Sequence, residues 1–110
     1  MAEDIFQKIK NQVESDSIVL YMKGTPAMPE CGFSATTVRA LEQFGKPYKT
    51  YNVLEDPALR EGIKQFSSWP TVPQLYVGGE FVGGCDIVVS LYESGELEKL
   101  LETASPSVSA

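Results

Sequence analysis

The chain contains no histidine, only two cysteines, Cys31 and Cys85, and a single tryptophan, Trp69, in 110 residues. Without imidazole there can be no Cys-His or Ser-His catalytic pair and no histidine metal ligand. Any thiol chemistry must be activated by something else. Two cysteines are too few for the disulfide framework of a small secreted domain, so a reducing compartment fits better. Positive charge is also scarce: nine Lys and Arg stand against fifteen Asp and Glu, a net charge of −6. That balance argues against broad binding to nucleic acid or an acidic membrane surface, whose partners usually present a basic face. No apolar run approaches the roughly 20 residues that span a bilayer. The first residues, MAEDIFQKIKNQVESDS, lack the basic start and apolar run of a secretory signal and are too acidic for a transit peptide. A cytoplasmic site is the default expectation, and a processed organellar form would look the same.

What is present fits one domain with one core. Ile5, Phe6, Ile9 and Val13 recur at helical spacing after Glu3 and Asp4, which suit the positive end of a helix dipole. Ser17–Met22 reads as a buried strand, followed by a long turn with Pro26 and Pro29. A second helix starts at Gly32 with Ala35, Val38, Leu41 and Phe44 expected inward, and Gly45 with Pro47 stops it. Tyr48–Val53 is the next strand candidate. Asp56-Pro57 opens a third helix with the stripe Leu59, Ile63 and Phe66. Pro73–Val77 and Glu80–Val82 form a hairpin across Gly78-Gly79. Ile87, Val88 and Leu91 begin a last helix, interrupted at Gly95 and continued by Leu97, Leu100 and Leu101. The expected domain covers residues 1–103, with 104–110 as a frayed tail. This order predicts an α/β protein with a four-stranded mixed sheet flanked by helices on both faces, the thioredoxin-like arrangement.

Three segments carry candidate chemistry. Met22-Lys23-Gly24-Thr25-Pro26 leads into Cys31-Gly32-Phe33-Ser34 at a strand-to-helix junction. A thiol there faces partial positive charge and free backbone N–H groups, which favour the thiolate. Lys23 adds a full charge; the alternative is an inert, buried cysteine. Ser34 stands where the second thiol of a C-x-x-C pair would be, so no disulfide forms across that turn. It is equally read as an ordinary first-turn residue. In Trp69-Pro70-Thr71-Val72-Pro73, a cis bond before Pro73 would free the Val72 backbone for an extended peptide ligand, against the commoner trans proline. Gly83-Gly84-Cys85-Asp86 opens a helix whose N–H groups suit a carboxylate. Asp86 is read either as an acceptor for a ligand amino group or as a plain helix cap, and Cys85 as packing rather than reacting.

Taken together, MKGTP at 22–26, CGFS at 31–34, WPTVPQLYV at 69–77 and GGCDI at 83–87 strongly resemble the monothiol, CGFS-type glutaredoxins. The similarity holds in order and spacing from the first helix to about Glu102. It implies that Cys31 is the active thiol and the protein's ligand to a 2Fe-2S cluster shared by two subunits. It implies a glutathione pocket in which Lys23 and Arg60 meet the glycine carboxylate, Val72 the cysteinyl backbone, and Cys85 with Asp86 the γ-glutamyl end. A ligand count agrees. Such a cluster usually takes four thiolates, and two Cys31 with two glutathione thiols make four. The implied role is iron-sulfur cluster storage and transfer and iron homeostasis in a cluster-bound homodimer, with BolA-type and apo iron-sulfur proteins as partners. A glutathione-dependent oxidoreductase and a non-catalytic thioredoxin-like adaptor are the alternatives.

Overall fold

Ile18–Met22 is buried at every position, so this strand (β1) must be covered on both faces. The computed structural model, which describes residues 4–103, shows how. The sheet has four strands in the order β2-β1-β3-β4, where β2 is Lys49–Asn52, β3 is Gln74–Val77 and β4 is Glu80–Gly83. β2 runs parallel to β1, β3 antiparallel to it, and β4 antiparallel to β3. Because successive strand side chains point to opposite faces, β1 feeds two cores. Ile18, Leu20 and Met22 pack with Val38 and Leu41 of α2 (Gly32–Glu42), Val88 of α4 (Cys85–Ser94) and Leu97 and Leu101 of α5 (Glu96–Thr103). Val19 and Tyr21 pack with Ile9 and Val13 of α1 (Ile5–Ser15) and Leu59 and Ile63 of α3 (Pro57–Ser67).

The expected mixed sheet with helices on both faces is therefore the observed fold, and the break at Gly95 separates α4 from α5. Several local expectations are corrected. In α2 the inward stripe is Ser34, Thr37, Val38 and Leu41, while Ala35 is only half-buried. Two hydroxyl residues take core positions because each finds a local partner, as Thr37 does in donating to the Phe33 carbonyl at 2.9 Å. Phe44 lies just beyond the end of α2 and still packs on the core. The second strand is shorter than Tyr48–Val53. Asn52 accepts from the Leu54 N–H at 3.0 Å and turns Val53–Glu55 into a 3₁₀ turn. β3 begins at Gln74, not Pro73, since proline has no N–H for the ladder. Asp4 sits at the start of α1 without capping it by its side chain. Glu3 and the tail 104–110 lie outside the described residues.

Asp56 does cap α3, accepting from the Leu59 N–H at 3.2 Å, with Pro57 in the first turn. It also meets Lys8 of α1 at 3.3 Å, joining the two helices of one layer. The Leu59 N–H, supported by Lys8 and the Ala58 N–H, holds its carboxyl below the ordinary carboxylate range against the opposing effect of burial. Asp56→Ala should cost about 1 kcal/mol, the usual loss of an N-cap. A group whose native pKa is depressed stabilises fully above its unfolded value near ~4 and loses that effect as pH falls through the native value. Denaturant titrations of both chains should therefore show a gap at neutral pH that closes in acid.

Candidate functional site

Strand register decides what meets at each end of the sheet. Met22 lies opposite Asn52, Tyr21 opposite Gln74, and Leu75 opposite Gly83. The ends of β1, β2 and β4 and the start of β3 thus share one edge, and the N-termini of α2, α3 and α4 follow there. Every residue expected at the site lies at this end. Lys23 follows β1; Cys31 is the N-cap of α2; Arg60 closes the first turn of α3; Val72 precedes β3; Cys85 and Asp86 open α4. Cys31, Cys85 and Lys23 are half-buried, Val72 is buried, and Arg60 and Asp86 are exposed. Among the described residues neither Lys23 nor Arg60 is spent on an ion pair.

The loop from Lys23 to Glu30 is a built structure. The Lys23 N–H donates to the Ser34 hydroxyl at 3.1 Å, and the Gly24 N–H to the Asn52 side-chain oxygen at 2.9 Å. Glu30 N–H returns to the Lys23 carbonyl at 2.9 Å, and Thr25 and Met28 bond each other's backbone. Only glycine fits at position 24, where φ is +91° and a Cβ would stand 2.5 Å from the Met28 carbonyl oxygen. These bonds deliver Cys31 to the start of α2 with Lys23 beside it.

The Cys31 thiol is held below the ordinary thiol range. Partial burial pushes it upward, but the backbone N–H groups of Ser34 and Phe33, the Lys23 charge and the Ser34 hydroxyl together outweigh it. Ser34 is fully buried, so it is more than the place of an absent cysteine: its oxygen joins the end of β1 to the thiol helix. Asp86, in contrast, caps nothing by its side chain, the N-cap of α4 being Gly84.

At the same end of the sheet, just before β3, stands Trp69–Pro73, with a cis bond between Val72 and Pro73. Among the described residues no turn, loop or cap hydrogen bond takes up the Val72 N–H or carbonyl. Gly84 lets this segment close on α4, since a Cβ there would sit 3.0 Å from Trp69 Nε1 and 3.3 Å from the Pro73 carbonyl oxygen. Ser34, Asn52 and Gln74 were not among the residues expected to build the site. A lone amide in the otherwise apolar run Val72–Val77 was the available signal for Gln74; Asn52, a polar residue at a strand end, gave none that separates it from a surface residue.

A thioredoxin-like sheet with an activated, unpaired thiol at a helix start and a buried serine in place of a second thiol one turn on defines a thiol-disulfide protein of the single-cysteine type. Comparison with known proteins places it further. The family model for glutaredoxin matches residues 18–82. A mitochondrial monothiol glutaredoxin-5 of Lachancea kluyveri is 56% identical over 105 residues, covering 93% of this chain and 73% of that relative. The solution structure of reduced poplar apo GrxS14 superposes with a TM-score of 0.78 at 50% identity, over 89% of this chain and 90% of that one. A buckwheat glutaredoxin-glutathione complex gives 0.80 at 26% identity, over 91% and 89%. This chain belongs to the glutaredoxin family, among its monothiol members.

Activation of Cys31 is directly measurable. Its rate of alkylation against pH should give a midpoint below the ~8.5 of a free thiol. Ser34→Ala should raise that midpoint and, by leaving the Lys23 N–H without its partner, cost about 1–3 kcal/mol of stability. A midpoint in the unaltered chain at or above that of a free thiol would contradict the site's electrostatics.

Proposed function

We propose that this monothiol glutaredoxin binds glutathione and, as a dimer, carries a 2Fe-2S cluster between Cys31 of each copy and two glutathione thiols. The observation that carries the reading is the activated Cys31 thiol with a fully buried serine, not a second thiol, one helical turn on. The donor set fits a shared cluster and not a private one. Among the described residues no three Cys, His, Asp or Glu side chains group to hold a metal, whereas such a cluster usually needs four thiolates. External thiols must complete it, and the peptide-binding features of Val72 lie at the same end of the sheet. The buckwheat relative solved with glutathione supports that occupant.

In this reading the Lys23 ammonium and the Arg60 guanidinium pair with the glycine carboxylate of glutathione. The Val72 N–H and carbonyl bond its cysteinyl backbone, and the α4 start at Cys85 with the Asp86 carboxylate takes its γ-glutamyl end. Exposed Phe33 and Met28 near the thiol and Ile87 in α4 form an apolar rim suited to a second copy. The cluster is cargo, held partly by diffusible thiols and so readily released to apo iron-sulfur proteins or shared with a BolA-type partner. The role is storage and transfer of clusters and iron homeostasis. The relative named as mitochondrial supports the processed organellar form beside the cytoplasmic one.

The lowered thiol pKa also favours a second activity, removal of glutathione from protein mixed disulfides. The Cys31 thiolate attacks the glutathionyl sulfur, releasing the protein thiolate and leaving glutathione on Cys31. A second glutathione thiolate then attacks that disulfide, giving oxidised glutathione and regenerating Cys31.

An absorption spectrum of anaerobically purified protein tests the carrier reading. Iron-sulfur bands in a dimer are expected, lost in Cys31→Ser and substantially retained in Cys85→Ser. Equal loss of iron in both variants would contradict the roles assigned to the two cysteines, and a colourless monomer with deglutathionylating activity would favour the enzyme. The charges are tested by calorimetry on the apo-protein. A charge-assisted hydrogen bond is worth about 1.5–3 kcal/mol, against about 0–1 for an exposed pair. Lys23→Gln, at a half-buried position, should weaken glutathione binding roughly tenfold or more and speed cluster loss in glutathione-free buffer. Unchanged affinity and decay in both Lys23→Gln and Arg60→Gln would remove these residues from the pocket.

A further inference from the structure

Trp69–Pro73 has little backbone bonding of its own. Pro70 and Pro73 carry no N–H, and among the described residues the segment's one backbone bond of turn or cap type runs from the Trp69 N–H to the Lys64 carbonyl at 3.1 Å. Its inward carbonyls are taken by a side chain. Gln74 Nε2 donates to the Trp69 carbonyl at 3.2 Å and to the Thr71 carbonyl at 3.1 Å. The Tyr76 hydroxyl donates to Gln74 Oε1 at 3.2 Å. Gln74 is 0% exposed and Tyr76 1%, so water cannot stand in for either partner. The two carbonyls fix which end of the amide faces the segment, since the reversed amide would set an oxygen against both, and the Tyr76 hydroxyl, able to donate or accept, then donates to the oxygen that remains.

The peptide joining Thr71 and Val72 is planar and trans, the only cis bond among the described residues being the next one. In such a unit the carbonyl and the N–H point in opposite directions. Holding the Thr71 carbonyl inward on Gln74 therefore turns the Val72 N–H outward.

We infer that Gln74 is a positioning residue, which aims the Val72 N–H at the ligand's backbone through the Thr71 carbonyl without touching the ligand. The inference rests on the glutathione reading above and deepens it. Tyr76 is the outer member of the same relay, anchoring Gln74 from within β3.

The test replaces Gln74 by methionine, close in length but without donors, and separately removes the Tyr76 hydroxyl. Calorimetry on apo-protein should show Gln74→Met binding glutathione about tenfold more weakly, the scale of a lost hydrogen bond and a misdirected donor. Tyr76→Phe should weaken it less. The sole tryptophan lies in the segment, so its emission should shift in both variants. Alkylation of Cys31, which another loop delivers, should keep its rate and pH midpoint. Affinity equal to the unaltered chain in folded Gln74→Met overturns the inference, and so does a change in Cys31 reactivity parallel to the loss of binding, which marks general loosening. If Gln74→Met does not fold, Tyr76→Phe decides: weaker binding with shifted emission supports the relay, and unchanged values overturn it. Failure of the unaltered chain to bind glutathione would overturn the functional reading itself, and Trp69 emission in the variants would still decide whether Gln74 sets the segment.

Discussion

The hydrogen bond from the Lys23 N–H to the Ser34 hydroxyl, at 3.1 Å, ties the end of the central strand to the first turn of the thiol helix. β1 is rigid because both its faces are buried, and this bond passes that rigidity to α2. Cys31 then occupies the N-cap position of α2, where the Ser34 and Phe33 N–H groups favour its thiolate, with the Lys23 side chain rooted at the other end of the same bond. A cysteine at 34 would put a weaker sulfur acceptor in a fully buried place. The monothiol character is thus coupled to how the loop between β1 and α2 is held, as well as to the absence of a resolving thiol.

Polar side chains inside the fold do comparable work at each segment of the site. Ser34 holds Lys23, Asn52 holds Gly24 and Leu54, and Gln74 holds Trp69 and Thr71. Each replaces a backbone ladder where irregular chain has none. An unpaired buried polar group costs about 1–3 kcal/mol, so such residues persist only where every partner is met. The result is a site made of loops tied to the sheet and helices by side-chain hydrogen bonds.

Much of this was legible beforehand because periodicity and turn chemistry are strong local signals. The unbroken apolar run Ser17–Met22, the Asp56-Pro57 start and the Gly78-Gly79 turn each admit few structures, and their order leaves few topologies. The site segments were legible as motifs, and register explains why they converge. What escaped was the role of polar residues in apolar company. Ser34 and Thr37 displace Ala35 from the inward stripe of α2 because a hydroxyl bonded to a nearby backbone group is no longer costly to bury. Hydropathy sees the hydroxyl and not its partner. Asn52 shortened β2 for the same reason, by offering Leu54 an acceptor that competes with the ladder.

For an acidic protein, the proposed binding of an anionic tripeptide requires that local and global electrostatics be separated. The net charge of −6 is spread over a body of 41 × 35 × 24 Å, and charges beyond a Debye length of about 8 Å are largely screened at physiological salt. Distant carboxylates therefore contribute little repulsion at the thiol end. Nearby groups count for more: Lys23, half-buried and without a carboxylate partner among the described residues, and the N–H groups at the start of α2, which together with Ser34 outweigh the effect of burial on Cys31, with Glu30 next to it in sequence as a local opposing charge. Asp86 is a carboxylate at the same end, and it opens α4, where the helix dipole offsets part of its charge. In the proposed glutathione reading Lys23 and Asp86 are the two poles of the site. A zwitterionic peptide with an amino group at one end and a carboxylate at the other would be oriented by such a pair, and with it the direction in which its thiol meets Cys31.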